Sequence, residues 1–216
     1  MKKRLLSMAL AVCLVLGTAG IIQSEVTSIG RYDLPTLDIV IDGTIYSSDY
    51  KEFMQATAYA ADQHIKIWLH TQGGDAYATI AIVNRILDLK DRGCTITTIA
   101  QGQALSAGSY IFLMGDERIA YEGASFMTHT MVQQNLKSVT EEARENRGKA
   151  IRISQVERMD RFIEARFRKV VGNKCSEKMI QYLLYGTKDE DTKDQYFSAL
   201  TAYNIGVATQ FISANR

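Results

Sequence analysis

The chain has 216 residues, of which 46% are hydrophobic, and its formal net charge is +1 at pH 7. This length and apolar content suit one globular domain with a sizeable core. The near-neutral charge gives no electrostatic case for a nucleic-acid partner, so we exclude that class of function.

The N-terminus has the pattern of an export signal. A basic start at residues 1–4 is followed by an apolar run at 5–16, and Gly17 and Ala19 are the small residues that a cleavage site requires. We therefore expect a signal-like segment over residues 1–24.

An uncleaved anchor is the other interpretation of this segment. If Ile21 and Ile22 extend the apolar run, residues 1–22 approach the roughly 18 apolar residues that a membrane span needs. The sequence thus predicts export or membrane anchoring, followed by a folded domain over residues 25–216.

Strand-like and helical patterns alternate along the first half of that domain. Strands are predicted at residues 37–41, 65–70 and 94–100, and helices at 50–61 and 79–89. This βαβ rhythm predicts an α/β fold in which a mostly parallel sheet is covered by helices.

Ser106 is the candidate nucleophile. It lies in the segment Gly-Gln-Ala-Leu-Ser-Ala-Gly at 102–108, between a β-branched run at 95–100 and an apolar helical run at 110–114. Small neighbours in that position predict a hydroxyl presented at a strand-to-helix turn. A serine hydroxyl needs a base within hydrogen-bond reach before it can attack at neutral pH.

His129, at the end of a strand-like stretch over residues 125–129, is the candidate base, and Asp194 is the candidate orienting carboxylate. Imidazole is the side chain whose unperturbed pKa lies nearest to neutrality, and a carboxylate on its other nitrogen fixes the tautomer. His64 and His70 are the other histidines, and His70 is also a candidate to line the site. Asp194 has acidic competitors nearby: Asp189, Glu190 and Asp191.

The pair Gly73-Gly74 is the candidate source of an oxyanion donor. It follows an apolar strand and precedes a helical pattern, so we predict its amides at a strand-to-helix turn. The second donor is the N–H of Ala107. Each such donor lowers the barrier of acyl transfer by roughly 3–4 kcal/mol.

The order of these motifs resembles the proteolytic subunit of the Clp protease. The likeness covers residues 37–206 and is most specific in the blocks 103–108, 125–129 and 194–199, the last followed by Tyr-Asn-Ile-Gly at 203–206. The resemblance implies a crotonase-like spiral of ββα units.

The resemblance also implies the roles of the site residues. Ser106 is then the nucleophile, His129 the general base and later acid, and Asp194 the residue that orients the imidazole. Gly74 and Ala107 supply the oxyanion amides. Two departures concern the substrate groove: Gln72 stands where the family has proline, and Thr130-Met131 where it has Gln-Pro.

The polar helical segment at residues 133–170 resembles the family's protruding handle helix, because so long and so charged a segment is not expected only to cover its own core. The family's handles join two stacked heptameric rings that are fed unfolded proteins by an ATP-driven AAA+ unfoldase. Members of this family are typically cytoplasmic and are often made with a propeptide. The resemblance therefore favours a propeptide at the N-terminus over an export signal.

No cofactor is expected in this chain. It has no Walker-type lysine motif, so any ATP use belongs to a partner protein. Cys13, Cys94 and Cys175 lack metal-ligand spacing, and two of them lie in or beside apolar runs, so we expect buried free thiols and no metal.

Three rival functions stay open. The first is an inactive scaffold subunit, the second is a membrane-associated Ser-Lys peptidase of the signal-peptide-peptidase type, and the third is an acyl-CoA-handling relative of the crotonase group. The Ser-Lys alternative requires Lys149 or Lys169 as base in place of His129. The acyl-CoA alternative requires activity that survives Ser106→Ala.

Overall fold

A seven-stranded, mostly parallel sheet forms the centre of the computed structural model, which describes residues 36–130, 147–186 and 194–214. The signal-like segment predicted at residues 1–24 lies outside the described residues. The strands are β1 Leu37–Ile45, β2 His64–Gly74, β3 Thr95–Leu105, β4 Glu117–Tyr121, β5 Ser125–Thr128, β6 Gln195–Ser198 and β7 Gln210–Ile212.

Helices follow the strands and cover the sheet, as the βαβ rhythm predicted. They are α1 Ser47–Ala56, α2 Ala76–Asp91, α3 Ala107–Phe112, α4 Arg147–Val171, α5 Glu177–Tyr185 and α6 Ala199–Asn204. The mixed α/β class predicted from the sequence is confirmed.

Helix α1 ends five residues earlier than the helix predicted at 50–61. Its C-cap is the buried Thr57, whose carbonyl accepts a hydrogen bond of 2.5 Å from Nη2 of Arg85 on α2. The Arg85 Nε donates to the Thr57 hydroxyl at 3.0 Å. A long-range partner thus holds the end of α1, and local helix propensity could not reveal it.

Strand β3 is longer than the prediction of 94–100 and changes partners along its length. Its first half pairs with β4, in the register Ala100↔Ala120, and its last residues pair with β5, in the register Leu105↔Met127. Both of these pairings are parallel. The carboxyl ends of β3 and β5 therefore meet at one edge of the sheet, which is where ligands bind in sheets of this class.

Helix α4 begins at Arg147 in the described structure, and residues 131–146 lie outside it. From residue 156 onward the helix has a buried stripe at three- and four-residue spacing: Val156, Met159, Ile163, Phe167 and Val171. That stripe belongs to the hydrophobic core. This half of the predicted handle is therefore an amphipathic helix on the domain's own core, contrary to the expectation that so polar a segment needs another partner.

In the ranges that the structure describes, no helix has the length and apolar character to cross a membrane. Cys94 and Cys175 are free thiols; Cys94 is buried as predicted, whereas Cys175 is partly exposed, and Cys13 lies outside those ranges.

Buried Arg118 joins the start of β4 to the chain after α6. Its guanidinium donates to three backbone carbonyls, those of Val207 at 2.6 Å, Gly115 at 3.0 Å and Gly206 at 3.4 Å. We expect Arg118→Ala to lower the free energy of unfolding by about 3 kcal/mol, because buried carbonyls lose their donors.

Urea unfolding followed by circular dichroism measures this loss. Arg158→Ala is the matched control, because Arg158 is exposed and bonds Ser154 within its own helix. A loss for Arg118→Ala no larger than that of the control would contradict the structural role.

Candidate active site

Ser106 occupies a strained turn between β3 and α3. Its φ of 52° and ψ of −115° place a non-glycine residue in a rarely populated region of the backbone map. Its N–H donates to the Met127 carbonyl of β5 at 2.9 Å, which holds the turn. A sharp strand-to-helix turn of this kind presents a serine hydroxyl for nucleophilic attack.

His129 meets that hydroxyl directly. The distance between Ser106 Oγ and His129 Nε2 is 2.7 Å, and only 5% of the His129 surface is exposed. The other ring nitrogen, Nδ1, lies 2.9 Å from the Thr130 carbonyl oxygen. Because a carbonyl only accepts, Nδ1 carries the proton and Nε2 is left to accept the Ser106 proton. This is the tautomer that a general base requires.

The other two histidines have their polar contacts elsewhere. His64 Nε2 contacts the Thr97 hydroxyl at 2.8 Å, and exposed His70 lies 3.4 Å from the Asp42 carboxylate. The atom that meets Ser106 is a histidine nitrogen, so the Ser-Lys alternative is not favoured.

Asp194 lies at the register position next to the base. Strand β6 pairs antiparallel with β5, Gln195 opposite Thr128, so Asp194 and His129 are the next residues of the two strands. Within the described part of the chain, no hydrogen bond joins the half-buried Asp194 to the imidazole, whose Nδ1 donates to Thr130. The orienting role of Asp194 stays a prediction.

The glycine pair closes strand β2, and only the N-cap Asp75 separates it from α2, so it lies at the strand-to-helix junction that the sequence predicted. Gly73, at a φ of 96°, lies against the nucleophile: a Cβ there would be 2.8 Å from Ser106 Cβ and 3.1 Å from the Ala107 nitrogen. Gly74 packs instead on β1, where a Cβ would be 2.2 Å from the Ile45 carbonyl oxygen. Side-chain-free backbone at both positions allows β2 to approach β1 and the Ser106 turn together.

The two predicted oxyanion donors lie on these neighbouring segments. Ala107 is the first residue of α3, so its N–H has no carbonyl partner within the helix. The N–H of Gly73 donates to the Thr71 hydroxyl at 3.0 Å, which leaves Gly74 as the candidate of the pair. The roles of Gly74 and Ala107 remain predictions.

The first of the two departures in the groove links β2 to β1. Gln72 Nε2 donates to the Thr44 hydroxyl at 2.5 Å, a cross-strand bond that proline cannot make. At the second, the Thr130 carbonyl contacts the imidazole, and Met131 lies outside the described residues.

Two groups at the site were missed by sequence reasoning. One is the Thr130 carbonyl, which leaves no trace in residue type. The other is Tyr110, which we assigned only to an apolar helical run. A tyrosine within an apolar run was an available signal, because its buried hydroxyl needs a hydrogen-bond partner.

Comparisons with known proteins agree with the fold and the motifs. A family model described as Clp protease matches residues 34–215. Among solved structures, the chain is similar to an Asn-to-Asp mutant of ClpP1 from Listeria monocytogenes, with a TM-score of 0.58 and 22% identity, covering 82% of this chain and 92% of that one. No curated protein matches the sequence. These findings confirm the resemblance and the fold class predicted from the motifs.

Proposed function

Because the chain belongs to the Clp protease family, we propose that it is a serine endopeptidase with Ser106 as nucleophile and His129 as general base. The observation that carries this proposal is the 2.7 Å contact between Ser106 Oγ and His129 Nε2. The Nδ1–H bond to Thr130 supports it, because that bond leaves Nε2 free of a proton.

The proposed reaction proceeds through an acyl-enzyme. Ser106 Oγ attacks the peptide carbonyl carbon while His129 Nε2 takes the hydroxyl proton. The C–N bond then breaks, and the imidazolium gives its proton to the leaving amine. A water deprotonated by Nε2 attacks the carbonyl carbon of the resulting ester, the bond from that carbon to Ser106 Oγ breaks, and the imidazolium returns the proton to Oγ as the carboxylic acid product leaves. Amides of Gly74 and Ala107 are the proposed donors to the oxyanion.

The assembly is the second part of the proposal, and it depends on family membership. The chain would form stacked heptameric rings around an inner chamber, with unfolded proteins supplied by a separate AAA+ unfoldase. Several large apolar side chains are exposed, which supports burial in an assembly: Met179 on α5, Tyr196 on β6, and Leu200 and Tyr203 on α6. Sedimentation velocity of the full chain measures the stoichiometry.

Labelling with a fluorophosphonate probe tests the chemistry. We expect phosphonylation of Ser106 in the wild-type chain and its loss in His129→Ala, because the probe reacts with a base-activated hydroxyl. His70→Ala is the matched control, since His70 is exposed and pairs with Asp42, and it should label like wild type. Labelling at a residue other than Ser106, or full labelling of His129→Ala, would contradict the proposal.

A further inference from the structure

Tyr110 connects the helix of the nucleophile to the backbone of the base. It lies four residues after Ser106, on α3, and only 2% of it is exposed. Its hydroxyl donates a hydrogen bond to the backbone carbonyl of His129. The two aromatic rings also meet edge to face, with centroids 6.4 Å apart and an interplanar angle of 67°.

The Tyr110 hydroxyl is a permanent donor. Burial raises the pKa of this phenol well above its usual value, and the negative charge of Asp160 raises it further. The hydroxyl therefore stays protonated at any pH at which the protein works. Its contact with the carbonyl does not depend on the protonation of the imidazole.

The hydrogen bond from Tyr110 holds the peptide unit that precedes the Thr130 carbonyl, the group that accepts from His129 Nδ1. The carbonyl that Tyr110 holds belongs to the peptide between His129 and Thr130. Fixing that plane fixes the direction in which the chain continues to the Thr130 carbonyl, which accepts from Nδ1 at 2.9 Å. The hydroxyl does not touch the ring nitrogens, so its route to the tautomer of His129 is this peptide unit.

A second hydroxyl of α3, that of Ser109, contacts the same segment two residues before His129. Ser109 Oγ contacts the Met127 carbonyl at 2.8 Å and the Ala104 carbonyl at 2.5 Å. The carbonyls on either side of Thr128 are therefore both held by α3. Because Ser106 directly precedes the same helix, this short helix links the position of the nucleophile to that of the base.

We propose that Tyr110 is a positioning residue for His129, holding the His129–Thr130 peptide so that Nδ1 is protonated and Nε2 faces Ser106. This inference rests on the proposed function for its consequence in catalysis. The tautomer of the His129 imidazole that it predicts can be measured whether or not the chain has peptidase activity.

The kinetic test uses Tyr110→Phe, which removes only the hydroxyl. We expect the maximal rate of phosphonylation of Ser106 to fall about tenfold, since misplacing a reacting group by about 1 Å costs up to about 100-fold. The half-saturating probe concentration should change less than about twofold, because the hydroxyl faces the histidine backbone and not the ligand.

Tyr185→Phe is the matched control for kinetics. It also removes a hydrogen-bonded phenol hydroxyl, which in that case donates to Glu164 between α5 and α4. It should retain the wild-type rate. An equal rate for Tyr110→Phe and wild type, or an equal loss in both variants, would overturn the positioning role.

A structural test separates this inference from the proposed function. Ring-nitrogen NMR signals of isotope-labelled histidine report the tautomer, and the signals of His129 among three histidines are identified by their loss in His129→Gln. We expect the Nδ1–H tautomer in wild type and in Tyr185→Phe, and a mixture of tautomers in Tyr110→Phe.

The two readouts divide the outcomes. Wild type that is not phosphonylated at Ser106 contradicts the proposed function alone, and the ring signals then decide the role of Tyr110. An Nδ1–H tautomer that persists unmixed in Tyr110→Phe overturns the inference, whatever the activity. Thermal melts of all variants confirm that each chain is folded when it is measured.

Discussion

Replacement of Ser106 by alanine is expected to lower kcat for peptide hydrolysis about a million-fold, because the atom that forms the acyl bond is removed. Among the residues that the structure describes, the hydroxyl in contact with His129 Nε2 is that of Ser106. Hydrolysis of a fluorogenic peptide and of unfolded casein by the full chain measures the loss.

The fold should survive this substitution. Alanine keeps the Cβ, so the backbone at a φ of 52° is no more strained than before, and we expect the thermal midpoint to move by less than about 3 °C. Ser106→Gly should be equally inactive yet more stable than Ser106→Ala, because glycine relieves strain of roughly 1 kcal/mol or more.

Ser176→Ala is the control for the loss of a serine hydroxyl. Ser176 caps α5 by accepting from the Met179 N–H, so the variant should lose some stability and no activity. A Ser106→Ala chain that keeps more than about 1% of wild-type activity would show that another nucleophile operates. That result would favour the acyl-CoA alternative if coenzyme A thioesters were the substrate consumed.

The contact between Ser106 and His129 could be predicted because both residues lie just after the carboxyl ends of strands. Both residues follow strands, β3 and β5, whose residue types already indicated extended structure. Parallel neighbours bring their carboxyl ends to one edge, so two positions 23 residues apart in sequence come within hydrogen-bond distance. Local patterns do not say which histidine pairs with Ser106, and the order of the motifs identified His129.

The parts that sequence could not predict depend on backbone atoms. Every residue has a carbonyl, so nothing marks that of Thr130 as the acceptor for Nδ1. Likewise, Gly73 and Gly74 are indistinguishable by type, yet only the three-dimensional packing sets one against Ser106 and the other against Ile45. The end of α1 at Thr57 depends in the same way on Arg85, a side chain distant in sequence.

Replacement of Asp194 by asparagine is expected to lower kcat about 1,000-fold. The carboxylate lies at the register position beside His129 and would stabilise the imidazolium that forms when Ser106 is deprotonated. We expect a smaller loss than for removal of the nucleophile, because the Thr130 carbonyl still holds Nδ1–H and keeps the tautomer. Asparagine keeps the shape of the side chain and removes only its charge.

The comparison with Asp191→Asn makes this test specific. Asp191 belongs to the same acidic stretch of the sequence, so a general effect of lost negative charge would appear in both variants. Peptide hydrolysis at saturating substrate should fall in Asp194→Asn alone. A loss of less than about tenfold would mean that a backbone carbonyl is the working partner of the imidazole. The enzyme would then be a Ser-His dyad with Thr130 in the orienting position, and the resemblance would have assigned Asp194 a role that this chain gives to its backbone.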